Sequence, residues 1–521
     1  MEKRAMLAMF LSLIVMLVFW VFLPGIQQKP VSPTSPAPGA VVAPGAVKPA
    51  TTAAPTAEIK AKTVEVATET SRITLTTKGG AIISWKIKEK NGQWIDLAAD
   101  QTGSERDQLA IQTGQEPYLA AVSFSPDKTS LSLEKGEEGS VTMDARLPNG
   151  VSISRIFTFA GEGYLQKASI IFQNTDKNPV KMPEYSLSWG PGLNPLNNKA
   201  VNNSAAGFIN GQLVNKLKPG IHEGSITWAA LSDQYFIISL IPEQTVFYGV
   251  TSEKSQDKKT SAGLVQKEFI LAPGETKRDN VNIYAGPKEY YTLKAIAPKL
   301  EELVGFGSIG KFFYFVLRHI YKVVHNYGWA IILLTLILQV VLLPLTLKSY
   351  RSMKEMQVLQ PLMKQLQEKY RDDPKRLNIE VMNLYKTHKV NPFGGCLPML
   401  LQLPIFFALY NTIRYAVELR QAPFIFWIKD LSLPDTVASV GGINLNILPL
   451  IMGVAMFLQQ KMSTADPQQA KMVMFMPVIF TFMFWNFPSG LVLYWFVNSL
   501  VSMAGQYLVI NKKPPRVEIV K

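Results

Sequence analysis

Hydrophobic and polar positions change their rhythm several times along the 521 residues. Residues 5–23 run from Ala5 to Leu23 without a charge, directly behind Lys3 and Arg4. At about 1.5 Å per helical residue this run nearly matches a hydrocarbon core of roughly 30 Å. It is long for a cleaved signal peptide, no small-x-small site follows it directly and no cysteine is placed for lipidation, so residues 1–25 are expected to form an uncleaved transmembrane signal anchor. Residues 27–57 then carry seven prolines among Ala, Thr, Val and Ser. Such a stretch buries too little surface to offset its ordering entropy, which predicts a disordered tether over 26–57.

From 58 to 297 the period becomes two. Ile83, Trp85 and Ile87 alternate with Ser84, Lys86 and Lys88 just after Gly79-Gly80, and Val151 and Ile153 alternate with Ser152 and Ser154. Alternation broken by Gly, Pro and Asn predicts one large antiparallel β-sandwich domain. Residues 311–325 instead place Arg318, Lys322 and His325 on one helical stripe with large apolar residues elsewhere, the pattern of a helix lying in a membrane interface, assigned to 298–326.

The second half is dominated by long apolar runs. Gly328–Leu347 holds no charge over 20 residues, nor does Pro392–Ile413, and a further apolar run covers about Asn444–Gln460. Met472–Asn511 is uncharged over 40 residues, too long for one span, and Asn486-Phe-Pro-Ser-Gly490 divides it into a hairpin. The expected spans after the anchor are 327–347, 392–415, 444–461, 472–486 and 487–510, six in all with the anchor. Between them lie a helical hairpin at 348–391, loops at 416–443 and 462–471, and a basic tail at 511–521. The fold class expected is a membrane α-helical bundle joined to a periplasmic all-β domain.

Charge orients this arrangement. The net charge is +14, and the 348–391 segment alone carries ten Lys and Arg against five acids. Lys461 and Lys471 flank the 462–471 loop, and Lys512, Lys513 and Arg516 lie in the tail. The 416–443 loop has Arg420 and Lys429 against Glu418, Asp430 and Asp435. With the N-terminus cytoplasmic, every basic-rich short segment falls inside, as the positive-inside bias requires. This predicts a multi-pass inner-membrane protein with residues 26–326 in the periplasm. Tyr327, Trp329, Trp427 and Trp485 fall near the proposed outer boundaries, where amphipathic rings settle.

Candidate chemistry is sparse. Cys396 stands alone and the four histidines are scattered, so no metal, cofactor or disulfide site is expected. Gly305-Phe-Gly-Ser-Ile-Gly310-Lys311 imitates a phosphate-binding loop, but Phe312 replaces the Ser or Thr that would hold magnesium and helix-like residues precede it where a strand should stand. No histidine or acid lies within a proposed span. That argues against an intramembrane protease, and it also lacks the buried ionisable groups usual in an ion-coupled transporter. No catalytic residue is assigned.

Polar residues in the spans are few and ordered by depth. Thr335 and Gln339 should lie about 11 and 17 Å below the outer surface, and Asn498 and Ser502 about 12 and 18 Å below it. Each pair is four residues apart and shares a helix face. Gln402 approaches from the cytoplasmic side of its span. These residues suit either helix–helix hydrogen bonds or a polar groove. In the 348–389 segment, two antiparallel helices are expected to turn at Asp372-Asp373-Pro374. There Met353, Met356, Leu359, Met363 and Leu366 recur at helical spacing, which suits either simple packing or an adaptable apolar docking face flanked by Arg351 and Lys354. The surrounding charges suit lipid headgroups or ribosomal RNA, with no specific nucleic-acid site.

Several motifs carry a family resemblance: Asn391-Pro-Phe-Gly-Gly-Cys-Leu-Pro398, Leu409-Tyr410, Glu418-Leu-Arg-Gln-Ala-Pro423, Phe475-Met-Pro-Val-Ile-Phe480 and Phe487-Pro-Ser-Gly-Leu-Val-Leu-Tyr494. In this order, over about 300–511, they resemble the YidC family of membrane protein insertases, which includes the mitochondrial oxidase-assembly and chloroplast Albino proteins. The anchor, tether and β domain resemble the Gram-negative form in layout. The resemblance implies a non-enzymatic insertase and chaperone whose five-helix core has a groove open to cytoplasm and lipid. Its implied partners are nascent membrane proteins, the Sec translocon, the ribosome and membrane lipids. It also implies that Thr335, Tyr494 and Trp495 line the groove together with Gln339, Gln402, Asn498 and Ser502. Many family members carry arginine five residues before the proline that is Pro344 here; this chain has Gln339. Glutamine can hydrogen-bond a substrate but cannot attract its acids by charge, unless Lys348 or Arg351 snorkels inward. A structural assembly factor of the translocon and a transporter or channel are the rival classes.

Overall fold

The computed structural model describes residues 61–510 except 99–106, 114–118, 120–121, 194–202, 245, 256–258, 389, 392–396 and 464–474. The anchor, the tether, Cys396, the 462–471 loop apart from its first two residues and the basic tail expected from the sequence lie outside the described residues.

The alternating half is β-sheet. A nine-stranded sheet runs in the spatial order 212–214, 204–209, 226–232, 236–242, 276–287, 165–174, 151–160, 138–146 and 125–126. Two five-stranded sheets and a two-stranded ribbon accompany it, and their inner faces share one apolar core. The strand Val151–Ala160 shows why these segments pair: its odd-numbered residues are buried and its even-numbered ones half-exposed along the whole length. Trp85 and Ile87 of the strand Ile82–Lys88 are likewise buried while Lys86 and Lys88 face out. The expectation of a purely antiparallel sandwich needs correction. Thr63–Ala67 pairs in parallel with Ser130–Ser132, and three multi-stranded sheets surround the core rather than two.

The domain leaves its last strand through Lys288, whose Nζ is buried and donates to the Asp233 carbonyl at 2.9 Å. Burial pushes the Lys288 ammonium down to about 8 and raises the Asp233 carboxyl despite their proximity. A short helix α1 (Tyr290–Ile296) follows, then α2 (Gly307–Val324). The phosphate-loop imitation lies here: Gly305 and Gly307 take positive φ in the turn before α2, and Lys311 Nζ is bound to Glu302 at 2.6 and 2.7 Å.

The apolar half is helical: α3 (Tyr327–Val358), α4 (Gln360–Lys369), α5 (Pro374–Thr387), α6 (Leu397–Tyr415), α7 (Ile447–Ser463), α8 (Met476–Met483) and α9 (Ser489–Ile510). Helix α3 and residues 489–509 of α9 are long and apolar enough to cross a bilayer; α7 and the 476–486 segment are shorter apolar helices. Two boundaries differ from the sequence reading. No Gly or Pro interrupts 345–358, so α3 continues for about 48 Å at helical rise and the hairpin proper begins at Gln360. Residues 443–446 are not helix but a strand paired with Thr436–Val440 across Gly441-Gly442, both at positive φ, so α7 starts at Ile447.

Candidate functional site

Helix α9 packs against both α3 and α7, and its polar residues find partners on two sides. From α3, Gln339 Nε2 donates to Asn498 Oδ1. From α6, Gln402 Nε2 donates to the Tyr494 hydroxyl. The first bond joins the two polar stripes, but it pairs the deeper member of one with the shallower member of the other. Amide-to-amide and amide-to-phenol bonds of this kind satisfy groups that hydrocarbon cannot.

The remaining candidates are placed differently. Thr335 is fully buried, and its hydroxyl donates to the Ile331 carbonyl one turn back at 2.7 Å. Tyr494 is also fully buried. Ser502 is half-buried, and its carbonyl accepts from the Tyr350 hydroxyl at 3.3 Å. Trp495 packs among Phe406, edge-on, and Phe480 and Phe484, both tilted, with ring centroids 5.3–5.6 Å away. Gln339, Gln402, Asn498 and Trp495 remain half-buried, whereas Thr335 and Tyr494 are inside the packing. Outward, α3 exposes Leu333, Leu336, Ile337, Val340 and Val341, an aliphatic surface without polar groups.

The helical hairpin corrects the docking assignment. Met363 lies in a small core with Leu359, Tyr385 and Val390, and the Tyr385 hydroxyl donates to its sulfur at 3.3 Å. Met356 packs against that core, and Met353 is half-buried. The methionine stripe mainly holds α4 and α5 together, because helical spacing marks an apolar face without saying what covers it. Lys354 is buried too, donating to the Val509 carbonyl in the last turn of α9 at 3.2 Å. Gln357, one turn on, donates to the Met462 carbonyl in the last turn of α7 at 3.3 Å. The C-terminal extension of α3 thus holds the carbonyl ends of two other helices. Arg351 is exposed. The exposed apolar pair is instead Ile379 and Met382 on α5, three residues apart and ringed by exposed Lys375, Arg376 and Lys386. Their spacing was available in the sequence, but they were masked by the richer methionine stripe before them.

A second polar cluster joins the β domain to the helices. The turn after Ile82–Lys88 brings Glu89, Lys90 and Asn91 against residues 418–421. Arg420 pairs with Glu89, Gln421 donates to the other Glu89 oxygen at 2.8 Å, and Lys90 Nζ donates to the Glu418 carbonyl at 2.9 Å. Tyr314 of α2 donates to the Glu418 carboxylate. Burial raises the Glu418 carboxyl and the Tyr314 hydroxyl and lowers the Lys90 ammonium.

A β domain locked onto a bundle of apolar helices, with amide pairs inside the bundle and a basic hairpin at one end, defines a membrane protein with a large extramembrane domain. Comparison with known proteins agrees. Residues 63–323 match the family described as the YidC periplasmic domain, and residues 319–516 match the 60Kd inner membrane protein family. The membrane protein insertase YidC of Endomicrobium trichonymphae is 39% identical over 465 residues, 87% of this chain and 86% of that protein. The insertase of the same name from Pelobacter propionicus is 36% identical over 98% of this chain and 99% of its own. A crystal structure of an active YidC insertase with its first transmembrane domain resolved aligns with 21% identity and a TM-score of 0.41, covering 86% of this chain and 92% of that one. The chain belongs to the YidC family of membrane protein insertases.

Proposed function

We propose that this protein inserts integral membrane proteins into the bacterial inner membrane and helps them fold, alone or beside the Sec translocon. The observation that carries the proposal is the pairing of Gln339 with Asn498 and of Gln402 with Tyr494 in a bundle whose outer face is aliphatic. Half-buried amides offer a passing polar flank hydrogen-bond partners, while the substrate's apolar segment leaves sideways into lipid. Each polar group so satisfied avoids a penalty of several kcal/mol in hydrocarbon.

The charge distribution supports a six-span topology with the N-terminus and the hairpin in the cytoplasm and the β domain in the periplasm. Nascent chains then meet the hairpin first, at Ile379 and Met382. The basic rim around them suits lipid headgroups or the ribosome. The amides carry no charge, so acidic residues in a translocated tail are not the recognised feature. Lys348 and Arg351 stay exposed, and Lys354 is engaged with α9.

The test is reconstitution of the purified chain in liposomes with a small phage-coat-like substrate, read as protease-protected insertion. Insertion by the wild type that falls with Gln339→Leu and Asn498→Leu together, and is indifferent to tail acids, is the expected result. No insertion by the chain alone, with retained copurification with the translocon, would instead favour a structural assembly role. Solute uptake or conductance would favour a transporter or channel.

A further inference from the structure

The turn at 423–428 contains a residue in a conformation its side chain disfavours. Phe426 has φ 55°, the left-handed region that bulky side chains rarely occupy. It is also the most exposed large apolar side chain among the described residues, at 87%. Neither feature reflects a loose loop. Phe424 N donates to the Ile428 carbonyl at 2.9 Å, Ile428 N to the Ile425 carbonyl at 3.2 Å, and Trp427 Nε1 to Asp435 at 2.9 Å. The built turn holds Phe426 out, and among the described residues its ring's one aromatic neighbour is Trp427, stacked at 5.9 Å.

The turn is anchored at the N-terminal end of α3. Asn326, which caps α3 by accepting from Gly328 N and Trp329 N, also donates to the Pro423 carbonyl at 3.3 Å. Phe424 packs edge-on against Trp329 at 5.6 Å. Around this helix end Val323, Trp329, Ile425 and Phe426 are exposed together, with exposed Lys429 beside them. The turn's hydrogen bonds offset the backbone strain, but among the described residues nothing covers the solvated phenyl ring beyond its stack with Trp427. An outside apolar contact would cover it, and an apolar tip followed by a lysine at the end of a membrane span suits the headgroup and acyl boundary of a bilayer.

We infer that the 425–429 turn is a lipid-inserted anchor in which Phe426 and Ile425 enter the outer leaflet and Lys429 meets its phosphates, fixing the depth of the outer end of α3. This rests on the topology proposed above, which places that end at the periplasmic surface. The occupant is lipid and not a protein, because the exposed residues are continuous with the lipid-facing end of the span.

The test uses the full chain with Cys396→Ser and Phe426→Cys, labelled with a polarity-sensitive fluorophore and reconstituted at low protein density. A label at Lys135→Cys in the β domain serves as the aqueous control. Blue-shifted emission at 426, quenched about twofold more by a lipid quencher near the headgroup than by one near the chain end, is expected for a group 5–10 Å into the interface. Aqueous emission with no lipid quenching overturns the inference, as does shielding that appears only at high protein density, which would mean that a second copy covers the turn. A further label at Lys386→Cys separates this from topology: if an impermeant reductant reaches 386 and 426 from the same face, the topology fails while the lipid-contact result still stands.

Discussion

Arg420 and Glu89 lie 331 positions apart in the chain, yet the Arg420 guanidinium donates to Glu89 from Nε at 2.8 Å and lies 2.7 Å away at Nη2. Both side chains are nearly sealed, at 10% and 7% exposure. The guanidinium also lies over Tyr235, with the ring centroid 5.4 Å away. This pair fastens the β domain to the turn that follows α6. Removing one partner strands a buried charge, so Glu89→Ala should destabilise the junction by about 3 kcal/mol or more. Glu89→Met combined with Arg420→Met should recover much of that loss. A double-mutant cycle read by denaturant unfolding in detergent checks this, and additive single effects would show that the pair is not coupled.

The Gln339–Asn498 bond gives a second cycle. Each single change to leucine leaves the other amide without its partner, whereas the double change leaves none. The coupling should be about 0.5–1.5 kcal/mol, the range of interhelical bonds in bilayers. Insertion should fall most in the double variant, which removes both polar groups from the substrate's path. A double variant that inserts as well as the wild type would sink the polar-path mechanism.

Lys354 should be required for holding the hairpin, not for docking. Its ammonium meets the carbonyl end of α9, an interaction worth about 0.3–2 kcal/mol at a helix C-terminus. Lys354→Met should broaden the distance between spin labels at Ile379 and Tyr507, while Lys354→Arg should keep it narrow. An unchanged distribution in Lys354→Met would return this lysine to the list of surface contacts.

Lys288 makes the β domain's stability depend on pH in a defined direction. Its folded value of about 8 is below the ordinary 10.5. Between those values the unfolded chain still holds a proton that the folded chain has lost, so stability rises with pH. The gain across the window is about 3 kcal/mol. The melting temperature of the wild type minus that of Lys288→Met should therefore increase from pH 8 to pH 10; a flat or falling difference would contradict the assignment.

Local pattern determined a good part of this protein. Alternation alone identified Trp85, Ile87, Val151 and Ile153 as inward-facing, because the pleat sends successive side chains to opposite faces. Helical rise placed the stripe of Thr335 and Gln339 at the same depths as that of Asn498 and Ser502, and Asp373-Pro374 marked the hairpin turn through its cap and its fixed φ. These properties follow from a few neighbouring residues. What covers each face does not. Met363 went inside its hairpin and Ile379 stayed out, although both belong to apolar stripes, because only the docking of α4 on α5 chooses between them. Gly441-Gly442 lay in the expected 416–443 loop, but residues 444–446 of the strand after it were absorbed into the neighbouring hydrophobic run. The order of the nine-stranded sheet, the grip of Arg420 on Glu89 and the burial of Lys354 join residues tens to hundreds of positions apart. Such contacts depend on how whole elements pack, and tertiary structure alone decided them.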